Sequence, residues 1–260
     1  MFAVFVWAGI ILATAAPAHA GAWLQPVGDV QVIATSDYTT ASSAFNDDRE
    51  DAFEVSFEKV EARVYAEAGL SERFTLIAEG TYQDVIFDGL EGKSRFTGPS
   101  KAGIGGRVPL LSSGGYRISL EADAAYQRGG EFVSDGELDY RGFSTSARAL
   151  YGYGWDRAYV DVQAGYIARF QGIPDSWTAN ITAGYDVTGR LSVSASAFGQ
   201  TTGSDRLGTD RILATESLKI KGAVLYDLRN STLEIGLLHT VAGRNLVRET
   251  GITVSTWRRF

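Results

Sequence analysis

From residue 29 onward, apolar and polar residues alternate along the chain in runs of roughly ten. In 177–187, Trp177, Ala179, Ile181, Ala183, Tyr185 and Val187 fall on one side, with Thr178, Asn180, Thr182, Gly184 and Asp186 on the other. Residues 158–170 and 116–127 repeat the pattern. A helix through any of these runs would smear charge around the whole cylinder, so period two predicts strands. The pattern predicts about twelve of them, near 29–38, 52–69, 73–87, 99–111, 115–128, 137–153, 157–170, 175–187, 190–201, 211–227, 231–241 and 247–260. In the second run Phe53, Val55 and Phe57 are odd-numbered, whereas Val60, Ala62, Val64 and Ala66 are even. That predicts a bulge near Lys59.

The connections alternate as well. Short ones (69–73, 111–115, 153–157, 187–190 and 228–231) follow longer ones (39–51, 88–98, 129–136 and 202–210), while 172–174 and 242–246 are short for the long rim. Short turns on one rim and long loops on the other are the layout of an outer-membrane β-barrel. A soluble barrel alternates too, but is apolar inside and polar outside. The polar face here carries mid-strand charges, including Arg63, Glu79, Arg107, Glu121, Asp161 and Lys221. The apolar face is rich in Ala, Gly, Val and Ile, with aromatic residues at both ends. Phe74, Tyr116, Tyr151, Tyr153, Tyr185 and Tyr226 lie near the short turns, and Tyr38, Tyr82, Tyr126, Phe170 and Trp177 near the long loops. Two aromatic belts suit an apolar band roughly 25 Å tall. The expected fold is all-β: a transmembrane antiparallel up-and-down barrel, with a secreted all-β domain as the alternative.

The first twenty residues are a separate object. Residues 2–13 are almost purely apolar and are followed by Ala18-His19-Ala20, the small-x-small pattern of a signal-peptide cleavage site. Twelve apolar residues are too few for a helix to span about 30 Å of hydrocarbon. The expected organisation is a signal peptide at 1–20 and one barrel domain at 21–260.

Composition narrows the function classes. The 260 residues include no cysteine and two histidines, and the formal charge is -7. Thiolate chemistry, disulfides and Cys-ligated metals are excluded. An acidic balance with no basic run argues against nucleic acid as a partner.

The opening GAWLQPVGDVQVI and the stretch YAEAGLSERFTLIAEGTYQ resemble a Gly-Ala-Trp-x-Gln-Pro start and a strand, Leu-x-x-Arg turn, strand pattern. Both are found in proteobacterial outer-membrane proteins grouped with transporters of aromatic-degradation pathways. The resemblance spans about the first 90 residues and carries no catalytic motif. The chain ends on Phe260, in phase with Ile252, Val254 and Thr256. That ending resembles the signal read by the outer-membrane assembly machinery.

The inward face collects Glu61, Glu67, Glu79, Glu121, Asp123, Asp161, Asp186 and Glu234, against Arg63, Arg107, Arg117, Arg148, Arg169, Lys219, Lys221 and Arg259. These charges either cross-link neighbouring strands in a filled lumen or line a polar path for ions or solutes. The candidate pore-lining set is Arg63, Glu79, Arg107, Glu121, Asp123, Asp161, Arg169, Lys219 and Lys221. His239 is the only histidine after residue 20. Outer-membrane acyl hydrolases resemble this barrel in size and use histidine, but His239 has Leu237 and Val241 at two-residue spacing, and its phase points outward. The acidic stretch 46–51 lacks the spacing and the Gly turn of a calcium loop, and is read as a solvated loop or one bridged to lipopolysaccharide by divalent ions. GKSRFTG and GIGGR lack the phosphate-loop frame. The expected job is passive passage of a small solute without a cofactor. A structural barrel with a plugged lumen and a lipid hydrolase using His239 are the alternatives. Expected partners are outer-membrane lipid and lipopolysaccharide, the assembly machinery and the solute.

Overall fold

A computed structural model of the chain describes residues 21–89, 92–129, 141–170, 174–207 and 210–260. The expected signal peptide at 1–20 and most of the loop 129–136 lie outside these residues. The strands are β1 (Val30–Phe45), β2 (Asp51–Ser71), β3 (Phe74–Gly89), β4 (Gly92–Ser113), β5 (Tyr116–Arg128) and β6 (Arg141–Gly154). They continue as β7 (Ala158–Phe170), β8 (Ser176–Asp186), β9 (Leu191–Thr202), β12 (Glu216–Leu228), β13 (Ser231–Arg244) and β15 (Thr250–Arg259). Between them lie a small hairpin, β10 (Asp205–Leu207) with β11 (Asp210–Ile212), and a short strand β14 (Leu246–Val247).

Each long strand pairs antiparallel with its chain neighbours, and β1 closes the ring by pairing with both β2 and β15. Reciprocal backbone bonds between Val30 and Phe260, 3.2 and 2.9 Å, fasten the seam at the short-turn end. Around the band where the twelve long strands all pair, closure removes the open edges, which is what a sheet needs in hydrocarbon. The twelve-stranded antiparallel barrel read from the alternation is the observed fold.

The faces are inverted relative to a soluble protein. Leu237, Ile104, Ile181, Val64 and Ile235 are exposed on the outer surface, while Glu67, Arg107, Asp161, Glu234 and Glu249 are buried within. Tyr151, Tyr185 and Tyr226 form the exposed belt by the short turns. Tyr38, Tyr82, Tyr126, Phe143, Phe170 and Trp177 form the other. At Phe260 the last strand presents its aromatic outward, on the same face as Ile252 and Val254.

Two expectations change. There is no bulge at Lys59, which pairs regularly with Thr39 and Val85 and is buried in the lumen. The register shift lies where Ala41 pairs Phe57 but Ser43 pairs Glu54. Val55 and Phe57 are apolar because they belong to an inner cluster with Ala41, Val85, Phe96 and Val247. The parity change thus marks a change in what the inner face touches. Likewise most of 39–51 and 88–98 is strand: β1 runs to Phe45 and β4 begins at Gly92. The cluster pays for that extra ladder by burying apolar surface on one side. The wall is therefore uneven, with 22 residues in β4 and 11 in β8.

Candidate functional site: the lumen

The lumen has two ends of different character. At the short-turn end, residues 21–29 turn back into the barrel. The Ala22 amide donates to Asp161 Oδ2 at 3.0 Å, and Ser119 Oγ donates to the Ala22 carbonyl at 2.6 Å. The Gln25 amide donates to Thr75 Oγ1 at 3.0 Å, and Gln25 Nε2 donates to Glu67 Oε2 at 2.6 Å. Trp23 lies over Gly152, where a Cβ would sit 2.5 Å from the indole. Only glycine permits that approach. At the root of the segment the Gly28 amide donates to the Gly69 carbonyl at 2.9 Å.

Arg107 is the hub of this end. Its guanidinium meets Glu67 and Glu121 at 2.7 Å each, and donates to the Trp23 carbonyl at 2.8 Å and the Tyr65 hydroxyl at 3.2 Å. Arg107, Glu67 and Glu121 are all buried. A planar fork with several donors can satisfy two carboxylates and a carbonyl together, which a lysine could not.

Beyond this hub, toward the long loops, the ion pairs meet open space. Lys101 pairs with Glu79 at 2.5 Å, Arg63 with Glu61 at 2.8 Å and Asp37 at 3.2 Å, and Lys221 with Glu234 at 2.6 Å. Arg148 spans Glu121 at 3.0 Å and Asp123 at 2.6 Å. Glu249, from the segment between β14 and β15, sits between Lys219 at 3.1 Å and Lys59 at 3.4 Å. Two adjoining cavities of about 320 and 330 Å³ lie among these groups, and Arg63, Phe198 and Lys219 border both.

The structure thus divides the expected pore-lining set. Arg63, Asp123, Lys219 and Lys221 border the cavities, with Glu79 behind Lys101. Arg107, Glu121 and Asp161 point inward but lie buried, Arg107 and Asp161 bonded to the N-terminal segment. That segment shows no period and gave no sign in the sequence of folding inward. Arg169 is inward but at the long-loop rim, where it donates to the Pro174 carbonyl and Ser176 Oγ at 2.9 Å each. Next to it, Asp175 is held below the usual carboxylate range by the Tyr166 hydroxyl and the Arg169 amide. Of the other inward cations, Arg117 donates to the Gly114 and Tyr116 carbonyls, and Arg259 to Gln31. The sequence reading missed Asp37, Lys59, Lys101, Phe198 and Glu249.

His239 faces outward, with Nδ1 2.8 Å from Thr250 Oγ1. The hydroxyl bonded to it is a threonine's, not a serine's. In the acidic loop, Asp47 pairs with Arg244 at 2.7 Å and Asp51 with Arg248 at 2.8 Å. Among the described residues no group of three His, Asp or Glu side chains is placed to hold a metal ion.

No protein family and no curated protein matches the sequence. Solved structures do. An outer membrane channel from Pseudomonas putida F1 is 14% identical, with a TM-score of 0.71 over 91% of this chain and 97% of that one. The transport unit of the autotransporter AIDA-I from Escherichia coli is 13% identical, with a TM-score of 0.57 over 89% and 90%. The translocator domain of the autotransporter NalP from Neisseria meningitidis is 10% identical, with a TM-score of 0.56 over 91% and 90%. At this identity the likeness concerns the fold, and it agrees with the inverted faces and the closed ring: the chain has the fold of an outer-membrane β-barrel.

Proposed function

We propose that this protein is a passive channel of the Gram-negative outer membrane for a small solute, with no chemistry of its own. The observation that carries the reading is the pair of adjoining cavities in a polar bore, set above a docked N-terminal segment. The fold shared with an outer membrane channel supports it. In planar bilayers the purified barrel is expected to conduct ions in discrete steps. A folded, heat-modifiable barrel without conductance would overturn the channel.

The second reading, a structural barrel, is favoured by the buried Arg107 network, which fills the short-turn end. A lipid hydrolase rests on His239 alone. His239→Ala is expected to leave lipid substrates unaffected, and a loss of lipid hydrolysis would revive it. In the channel reading the outer face meets lipid and lipopolysaccharide, and the last strand delivers Phe260 to the assembly machinery. Cleavage after Ala20 would leave Gly21 as the first residue, free to enter the lumen. N-terminal sequencing of the membrane-extracted protein should begin there, and an intact Met1 would overturn the cleavage.

A further inference from the structure

Lys59 apart, which is about as buried as its partner Glu249, the ion pairs that line the bore in the long-loop half share one orientation. In each, the carboxylate lies against the wall and the cation reaches into the bore. The Arg63 side chain is 44% exposed, against 12% for Asp37 and 10% for Glu61. For Arg148 the figure is 29%, against 3% for Glu121 and 9% for Asp123. Lys101 and Glu79 stand at 29% and 15%, Lys221 and Glu234 at 20% and 5%, and Lys219 and Glu249 at 16% and 4%. The short-turn half has no such asymmetry, since Arg107 is as buried as its partners.

Each oriented pair is a dipole with its positive end at the bore. Low-dielectric walls strengthen that field. In a chain with a formal charge of -7 the first cavity therefore shows a cationic surface, whereas the second balances Lys59, Arg63, Lys219 and Lys221 against Asp37, Glu61, Glu234 and Glu249. Four cations, Arg63, Lys101, Arg148 and Lys219, border the first cavity, and among the described residues Asp123 is the one carboxylate in its lining. Arg148 Nε has no hydrogen-bond partner. In the lining of the second cavity, Thr39 Oγ1 and Trp257 Nε1 also lack partners. These atoms are closed off from the bore, so they mark tight packing of the wall, and the groups that meet a solute are the exposed ends of the cations. At the junction, Phe198 lines both cavities.

We propose that the two cavities form a binding site for a small organic monoanion, a carboxylate on a one-ring apolar body. The carboxylate meets the ammonium and guanidinium groups of Lys101, Arg148 and Lys219, and the ring rests on Phe198. Because every cation already has a carboxylate behind it, the site offers a partial positive field, which suits one charge better than two. A neutral hydrocarbon would cover these donors without accepting from any of them. Cavities of about 320 and 330 Å³ have room for a one-ring body with its carboxylate. The inference deepens the channel reading and takes its physiological meaning from it.

The test is calorimetric titration of the full barrel in detergent micelles with benzoate, benzamide and benzylamine. Benzoate is expected to bind saturably. Benzamide, of the same shape without the charge, should bind about tenfold more weakly, and benzylammonium should not bind. Lys219→Gln leaves Glu249 paired with Lys59, so the barrel should keep its heat-modifiable fold while benzoate binding weakens about tenfold. Phe198→Ala should weaken benzoate and benzamide alike. Equal affinity for benzoate and benzamide, preference for benzylammonium, or no saturable binding of benzoate would overturn the site, and the wild-type barrel alone decides this if a variant fails to fold. Conductance is read separately. Benzoate binding by a non-conducting barrel would keep the site and reject the channel, while conduction without benzoate preference would do the reverse.

Discussion

The two ends of the lumen use the same residue types to opposite effect. At the short-turn end Arg107 is enclosed by Glu67, Glu121 and the Trp23 carbonyl, and the charges serve to hold the N-terminal segment. At the long-loop end Arg63, Lys101 and Arg148 pair with carboxylates less exposed than themselves, and their side chains border open space. An ion pair therefore has no fixed role in a barrel. What lies on its other side decides whether it acts as a cross-link or as a charged wall.

The largest test of this contrast is to remove one cation from each end. Arg107→Leu leaves buried Glu67 without a cation and Glu121 with Arg148 alone, and should cost about 3–5 kcal/mol in urea unfolding of the reconstituted barrel. Lys101→Gln should cost about 1 kcal/mol or less, because Glu79 can recruit water from the adjoining space. Equal losses would mean that both ends are equally dry. Next in size is the membrane face against the lumen. Ala183→Arg, outward at mid-strand, should cost about 2–4 kcal/mol, and Thr182→Arg, one residue away and inward, less. A comparable loss at both positions would contradict the inverted faces.

A smaller effect concerns the segment itself. Gly152→Val puts a branched side chain where Trp23 lies, which should cost about 1–3 kcal/mol. It should also raise single-channel conductance as the segment shifts. Unchanged conductance would show that Trp23 does not limit the path. The smallest perturbation only assigns the ends to compartments. A cysteine replacing Asp48 should react with an impermeant maleimide on whole cells, and one replacing Asn230 should not, since short turns face the periplasm in such barrels. The reverse labelling would turn the contrast upside down without altering it.

Much of the fold was legible because a strand in a barrel wall has two environments and a side-chain period of two. Ala179, Ile181 and Ala183 against Asn180, Thr182 and Asp186 report both the strand and its faces. Mid-strand charges such as Arg63 and Glu121, set against aromatic belts, distinguish a membrane barrel from a soluble one. Local pattern was less sufficient where a bulge intervenes. A register shift between Lys101 and Pro99 brings Phe96 and Lys101 to the same inner face although their numbers differ in parity. Polar stretches such as 39–45 and 92–98 read as loops because their outward residues are hydrophilic, yet the inner cluster around Phe57 and Phe96 keeps them paired.

The sequence by itself determined the strands, their number, the inversion of their faces and the charged character of the interior. Each of these follows from the residue and its neighbours two positions away. Tertiary structure alone decided what the interior does. Ala22 meets Asp161 across 139 residues and Gln25 meets Glu67 across 42, so no local period announces the segment that docks at one end. The direction in which each ion pair points depends on side-chain reach and on what the ring brings behind it. Lys219 faces the bore because Glu249, 30 residues on and outside any strand, folds in against it. Alternation fixes which side of the wall a charge occupies, but only closure of the ring chooses its partners and so the sign of the surface a solute meets.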